Sequence, residues 1–179
     1  MKNAAAALAL FLPLSAAAQR NAQWVLEKNT LTYHVSHPLH DTDGVSHAAR
    51  GKAVCQAGQC DILIAVPVKS FSSGDSNRDL HMLQATRGAE FPLVSVRLRL
   101  PESAADSPMI ECDLEVEFAG QTARYKAVPF HQATEGALHR IWGTVPAKLS
   151  DFKIPLPSLL AVPVKDDAPV NVETTWRPM

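Results

Sequence analysis

The chain has 179 residues, with 17 Lys and Arg against 18 Asp and Glu and a formal net charge of −1. That length holds one domain with a sizeable core. The near balance of charge excludes a dedicated polyanion-binding surface, so nucleic acid is not an expected partner.

The N-terminus carries one lysine, Lys2, then the apolar run from Ala4 to Leu14 and the small residues Ser15 to Ala18. A charged start, an apolar stretch too short to span a bilayer and a small-residue end form a secretory signal. Residues 1–18 are therefore expected to be a signal peptide, residues 19–179 the mature domain, and the compartment the periplasm. No later segment is long and apolar enough to span a membrane.

Trp24 to Leu26 and Leu31 to Val35 read as a strand pair, or as one strand broken at Glu27 to Asn29. Leu31, Tyr33 and Val35 alternate with Thr32, His34 and Ser36, the period of a half-buried strand. His37 to Ser46 reads as a loop rich in His, Asp and Gly. Strands follow at Ala49 to Cys55 and Asp61 to Val68, around a turn at Gly58. Pro67 cannot donate to a ladder, which places that end at an edge or a bulge.

Ser76 to Asp79 matches a capping box opening a short helix. Leu80 and Leu83 share one face, and Met82 and Ala85 broaden it. Gly88 is the expected terminator, after which Phe91-Pro92 forces extended backbone. Val94, Val96, Leu98 and Leu100 then alternate with Ser95, Arg97 and Arg99. After a polar loop at Pro101 to Pro108, Leu114, Val116 and Phe118 alternate with Asp113, Glu115 and Glu117. Ala119 to Thr122 turns into Ala123 to Phe130. Further strands are expected at Leu138 to Val145 and at the C-terminus, where Val170, Val172, Thr174 and Trp176 share a face. Leu156 to Leu160 is expected to make a helical turn or two in a proline-rich segment. About eight strands with short turns indicate an all-β, antiparallel barrel or sandwich.

The run FSSGDSNRDLHMLQATRGAEFPLVSVRL resembles the signature of the YceI-like family: a Ser- and Gly-containing turn, an Arg-Asp-x-His-Met segment and an aromatic-Pro step into a strand. Trp24 followed by YHVSHPLH is similar to that family's first strand. The motifs are specific only within residues 71–92. The resemblance implies a secreted bacterial, lipocalin-like barrel, its short helix near one mouth, that holds a long-chain isoprenoid or related lipid. It implies no catalytic residue and no cofactor other than the lipid.

On that reading Ile62, Ile64, Val66, Val94, Val96, Leu98, Leu114, Val116 and Phe118 form the apolar interior. They are core residues first and pocket residues second. Arg78 and His81 are candidates to meet the ligand's polar end at the mouth, although Asp79 and Arg78 have a simpler role at the helix start. Cys55 and Cys60 flank a turn-forming stretch, which allows a bridge across the base of one hairpin and leaves Cys112 over. The alternative function is a periplasmic metal- or redox-associated protein using His34, His37, His40 and His47 with Cys55 and Cys60. A homodimer stays open.

Overall fold

A computed structural model describes residues 22–159 and 162–179, so the expected signal peptide lies outside the described residues. The described residues form a closed antiparallel barrel with one α-helix. Its strands are β1 (Ala22–His37), β2 (His40–Ser46), β3 (Arg50–Gln56), β4 (Gln59–Pro67), β5 (Leu93–Pro101), β6 (Met109–Phe118), β7 (Gln121–Glu135), β8 (Leu138–Val145) and β11 (Val170–Pro178). β9 (Ser158–Leu159) and β10 (Val162–Pro163) form a small separate hairpin. The order β11-β8-β7-β6-β5-β4-β3-β1 closes through pairing of β11 with β1. Eight strands thus complete the ring, and β2 extends it beside the second half of β1.

The long first strand is continuous. Its break is a bulge between Leu26 and Lys28, which lets one strand serve three partners. β1 pairs with β3 through Ala22 to Val25, with β2 through Leu31 to His37, and with β11 along Trp24 to Tyr33.

His37 to Ser46, expected as a loop, is instead a tight turn and a strand. Only Val45 among His40–Ser46 is a large apolar residue, so period-two alternation had nothing to act on. Pairing supplies the order: on the outer face Ser36 Oγ donates to Asp41 Oδ1 at 2.6 Å, and His34 Nδ1 meets Asp43 Oδ1 at 2.7 Å. Gly44 makes the pairing sterically feasible, because a Cβ there would lie 2.2 Å from the Tyr33 ring.

Pro67 ends β4 but is not at a sheet edge, since β4 lies between β3 and β5. Being the last residue, it pairs with Leu93 and then caps a single 3-10 turn. The expected helical turn at Leu156 to Leu160 is not formed by the described residues there. Three prolines in the segment favour extended backbone, and Ser158–Leu159 pairs with Val162–Pro163.

Helix α1 (Ser76–Ala85) starts one residue earlier than the capping-box pattern placed it. Asp75 is the N-cap, accepting from the amides of Asn77 and Arg78 at 2.9 and 3.0 Å. Asp79 instead reaches back to the preceding turn, where its Oδ1 accepts from the Ser73 amide at 2.8 Å and the Ser73 hydroxyl at 2.7 Å.

The stop is also displaced by one. Arg87 takes the left-handed conformation, φ 54°. Gly88 N donates to Leu83 O at 2.7 Å and Arg87 N to Gln84 O at 3.1 Å, the two bonds of a Schellman motif. Gly88 is required for room rather than for φ: a Cβ would sit 2.8 Å from Leu83 Cδ2. Leu80 is 51% exposed, so the inward face is Met82 and Thr86 rather than the expected Leu80 and Leu83 stripe.

Both caps titrate. The amides of Arg78, then Asn77, hold the Asp75 carboxyl below its ordinary value of 3.8. The Ser73 hydroxyl chiefly does the same for Asp79. A carboxyl whose folded pKa is depressed contributes stability that is complete above the unfolded value and is lost as pH falls through the folded one. Acidification below about 3.8 is therefore expected to remove the stability that these two carboxyls give to the start of α1. In a thermal-unfolding series from pH 6 downwards, Asp75→Asn/Asp79→Asn should lose less of its midpoint than the parent protein. An identical acid dependence would dismiss this account.

Candidate functional site

The inward-facing residues enclose a cavity of about 950 Å³. That is at the upper end for small-molecule sites, so the inner face is not packed solid. All nine residues expected inside, from Ile62 to Phe118, line it. Leu31, Tyr33, Val35, Ile110, Phe130, Ile141 and Val172 complete much of the wall, together with Trp24 and Trp176. Buried residues beneath it form two clusters, one around Cys112, Val116 and Phe130 and one around Leu26, Leu31 and Trp176.

The two ends are closed differently. At one, Met82 and Thr86 of α1 meet Val68 and Phe71, with Phe152 and Ala168 from the C-terminal segments. At the other, the short 3-10 segment Glu102–Asp106 crosses the barrel as a strap. Glu102 N donates to Gly58 O at 2.8 Å on one side, and Gln132 N donates to Pro108 O at 2.9 Å on the other. Gln132 Nε2 also donates to Ala104 O at 2.6 Å and to Ser107 O, which satisfies a buried amide while tying the strap down.

The lining is predominantly apolar, and its charged residues, Glu102, Asp106 and Lys148, come from connecting segments rather than from the ring strands. Tyr33 stands near the helix end; burial first, then the Asp79 carboxylate, raises the pKa of its hydroxyl. Tyr125 donates to Asp151 Oδ2 at 2.7 Å, and burial with this bond raises its pKa further. Both hydroxyls stay protonated at neutral pH. Cys112 is a free, buried thiol pushed up to about 11 by burial and by Asp113, so it is no nucleophile at pH 7.

Arg78 and His81 are exposed and neither lines the cavity. Arg78 Nε donates to Ser73 Oγ and its Nη2 to Ser73 O, both at 3.3 Å, so it braces the turn before α1. The polar-end role expected of this pair finds no support in their position.

The four histidines do not gather into one site, although the His37 and His40 rings pack 5.5 Å apart. His34 meets Asp43, and His47 Nδ1 lies 2.9 Å from Asn29 O. His37 is buried, with its Nδ1 accepting from Leu39 N at 3.1 Å and its Nε2 facing Val162 O at 3.0 Å. Among the described residues no group of three His, Cys, Asp or Glu side chains is arranged to hold a metal ion.

Cys55 and Cys60 are bridged. They form the register pair next to Gln56 and Gln59, beside the Ala57-Gly58 turn rather than at the hairpin's base. Ala57 and Gly58, with φ 53° and 76°, make the turn type that matches strand twist. Closing so short a loop is worth about 2 kcal/mol on chain-entropy grounds. Alkylation of the denatured, unreduced protein should label one thiol, and Cys55→Ala/Cys60→Ala should lower stability by about that amount. Labelling of all three cysteines would refute the bridge.

Sequence reasoning missed Glu102–Asp106 as a closing strap, because a polar loop carries no periodic signal. It also missed Gly143, discussed below.

No protein-family model and no curated protein matches the chain. Solved structures do. A polyisoprenoid binding domain from Saccharophagus degradans, implicated in plant cell wall breakdown, superposes with a TM-score of 0.74 at 11% identity, covering 87% of this chain and 98% of that one. BcnA of Burkholderia cenocepacia does so with a TM-score of 0.70 at 14% identity, covering 82% and 95%. At these identities the likeness is one of fold, and the fold is the lipocalin-like barrel that the family resemblance implied.

Proposed function

We propose that this chain is a YceI-like, non-catalytic carrier that holds a long-chain isoprenoid or related lipid inside its barrel. The observation that carries the reading is the cavity of about 950 Å³ with an almost wholly apolar lining. Such a lining suits a chain-like ligand, because burial yields about 25 cal/mol per Å² and needs few directed contacts. The structural likeness to a polyisoprenoid binding domain agrees in kind. A periplasmic location accords with the signal-like start and with the Cys55–Cys60 bridge, which persists in an oxidising compartment. The scattered histidines give the metal-associated alternative no such observation.

The test is to extract the purified protein with organic solvent, identify what is released by mass spectrometry and assay bound metal on the same preparation. Near-stoichiometric lipid without metal is the expected result. Stoichiometric zinc or copper with no lipid would reverse the assignment.

A further inference from the structure

The barrel wall is uneven. Most neighbouring strands of the ring share at least six register pairs, but β5 and β6 share only Ser95 with Glu117, Val96 with Val116 and Arg97 with Glu115. Continued in that register, Leu98 would face Leu114. The ladder stops before it, although β5 runs on to Pro101 and β6 begins at Met109.

On the far side of β6, at the level where the ladder stops, lies a bulge in β7. Between Cys112 and Leu114 the register with β7 shifts by one residue, Ala127 takes φ 50°, and its amide donates to Asp113 Oδ1 at 2.9 Å. The extra residue is on β7, which bends at the bulge, and the Ala127 amide holds Asp113 of β6 against it. The segment Glu102–Asp106 joins the two strand ends beyond the point where the ladder stops.

Leu98 and Leu114 border both the interior cavity and a recess on the outer surface over the parting. That recess is lined by Lys52, Arg97, Arg99, Arg124 and Lys126 against Asp61, Asp113 and Glu115. Arg99 lies on β5 at the parting and holds Asp61 at 2.6 Å through Nε. Lys126, on the bulge, is exposed and has no ion pair among the described residues. Leu98 and Leu114 thus stand between the apolar chamber and an outer rim with an excess of cations.

We propose that the parting of β5 and β6 is where the ligand's polar end leaves the barrel, and that Arg99 and Lys126 receive an anionic head, a carboxylate or phosphate. The inference rests on the apolar-cavity reading above and adds the class of head group. A charge-assisted hydrogen bond at the rim, made only by an anionic head, favours it over a neutral one.

The test compares hexadecanol, hexadecanoic acid and hexadecyl phosphate at neutral pH, read by the emission of Trp24 and Trp176 in the cavity. An anionic amphiphile should bind about tenfold tighter than the alcohol, the size of one charged hydrogen bond. Whichever anion is favoured separates a carboxylate from a phosphate ligand. In Arg99→Gln/Lys126→Gln that preference should vanish while hexadecanol binding stays unchanged, which also shows that the variant folds. Equal binding of all three by the parent protein would overturn the head site and leave the cavity reading intact. A preference that survives in the variant overturns it too. Binding of none of the three sinks the cavity reading, and this inference with it.

Discussion

A carboxylate placed at Val96 is expected to abolish lipid uptake and to lower stability by on the order of 3 kcal/mol, whereas Arg97→Asp leaves both nearly unchanged. The two positions are adjacent on β5 but face opposite ways. Val96 pairs with Ile64 and Val116 and lines the cavity, where an ionised group loses water and finds no partner. Arg97 lies outside, 4.0 Å from Glu115 and 3.6 Å from Glu117. Exposed pairs of that kind are worth about 0–1 kcal/mol, and the repulsion of a new carboxylate by Glu115 and Glu117 is of similar size, so the loss stays well below that at Val96. Thermal unfolding and lipid extraction of the two variants side by side decide the matter; equal tolerance of both substitutions would contradict the face assignment.

Gly143→Val should be nearly as damaging, at about 3 kcal/mol, although no charge is involved. Gly143 of β8 pairs with Phe130 of β7, and the Phe130 ring occupies the space where a side chain would be. A Cβ there would lie 2.6 Å from Phe130 Cδ1 and 2.8 Å from Pro129 O. The ring can swing aside; the carbonyl belongs to the neighbouring strand and cannot move without parting the ladder. Phe130→Leu in the Gly143→Val background therefore restores only part of the lost midpoint. Full recovery on shrinking the ring would mean that the backbone contact is unimportant.

The alternation from Val94 to Leu100 was readable because one face of β5 is apolar and the other charged. The same holds for Leu114 to Phe118 and for Val170 to Trp176. β2 was unreadable for the opposite reason: its stability comes from pairing with β1 and from Gly44, and neither leaves a periodic trace in HDTDGVS. At α1 the error was one residue at each end. Asp75 and Ser76 are both good N-caps, and only the loop geometry, with Asp79 anchored on Ser73, selects between them. Arg87 precedes the glycine that attracts the eye, yet the left-handed turn falls on Arg87.

The cavity is a different kind of omission. Alternating Ile, Val and Leu look the same whether the facing walls touch or stand apart, because strand number and bulges set the separation. Arg78 illustrates the reverse: a charged residue in a family-like motif invites a ligand role, and in this fold its guanidinium braces the turn at Ser73.

The seam between β1 and β11 carries a kinetic consequence. Trp24 pairs with Pro178, so the ring is completed by joining the first and last of the described strands. The entropy of closing so long a loop must be met before these contacts return anything, and topologies dominated by such distant pairings fold on the slow, millisecond-to-second side. Until residue 178 is available, β1 and β8 both present open edges, the templates on which sheet proteins aggregate. Late-stage truncation within β11 should therefore show itself as insolubility rather than as a smaller folded barrel.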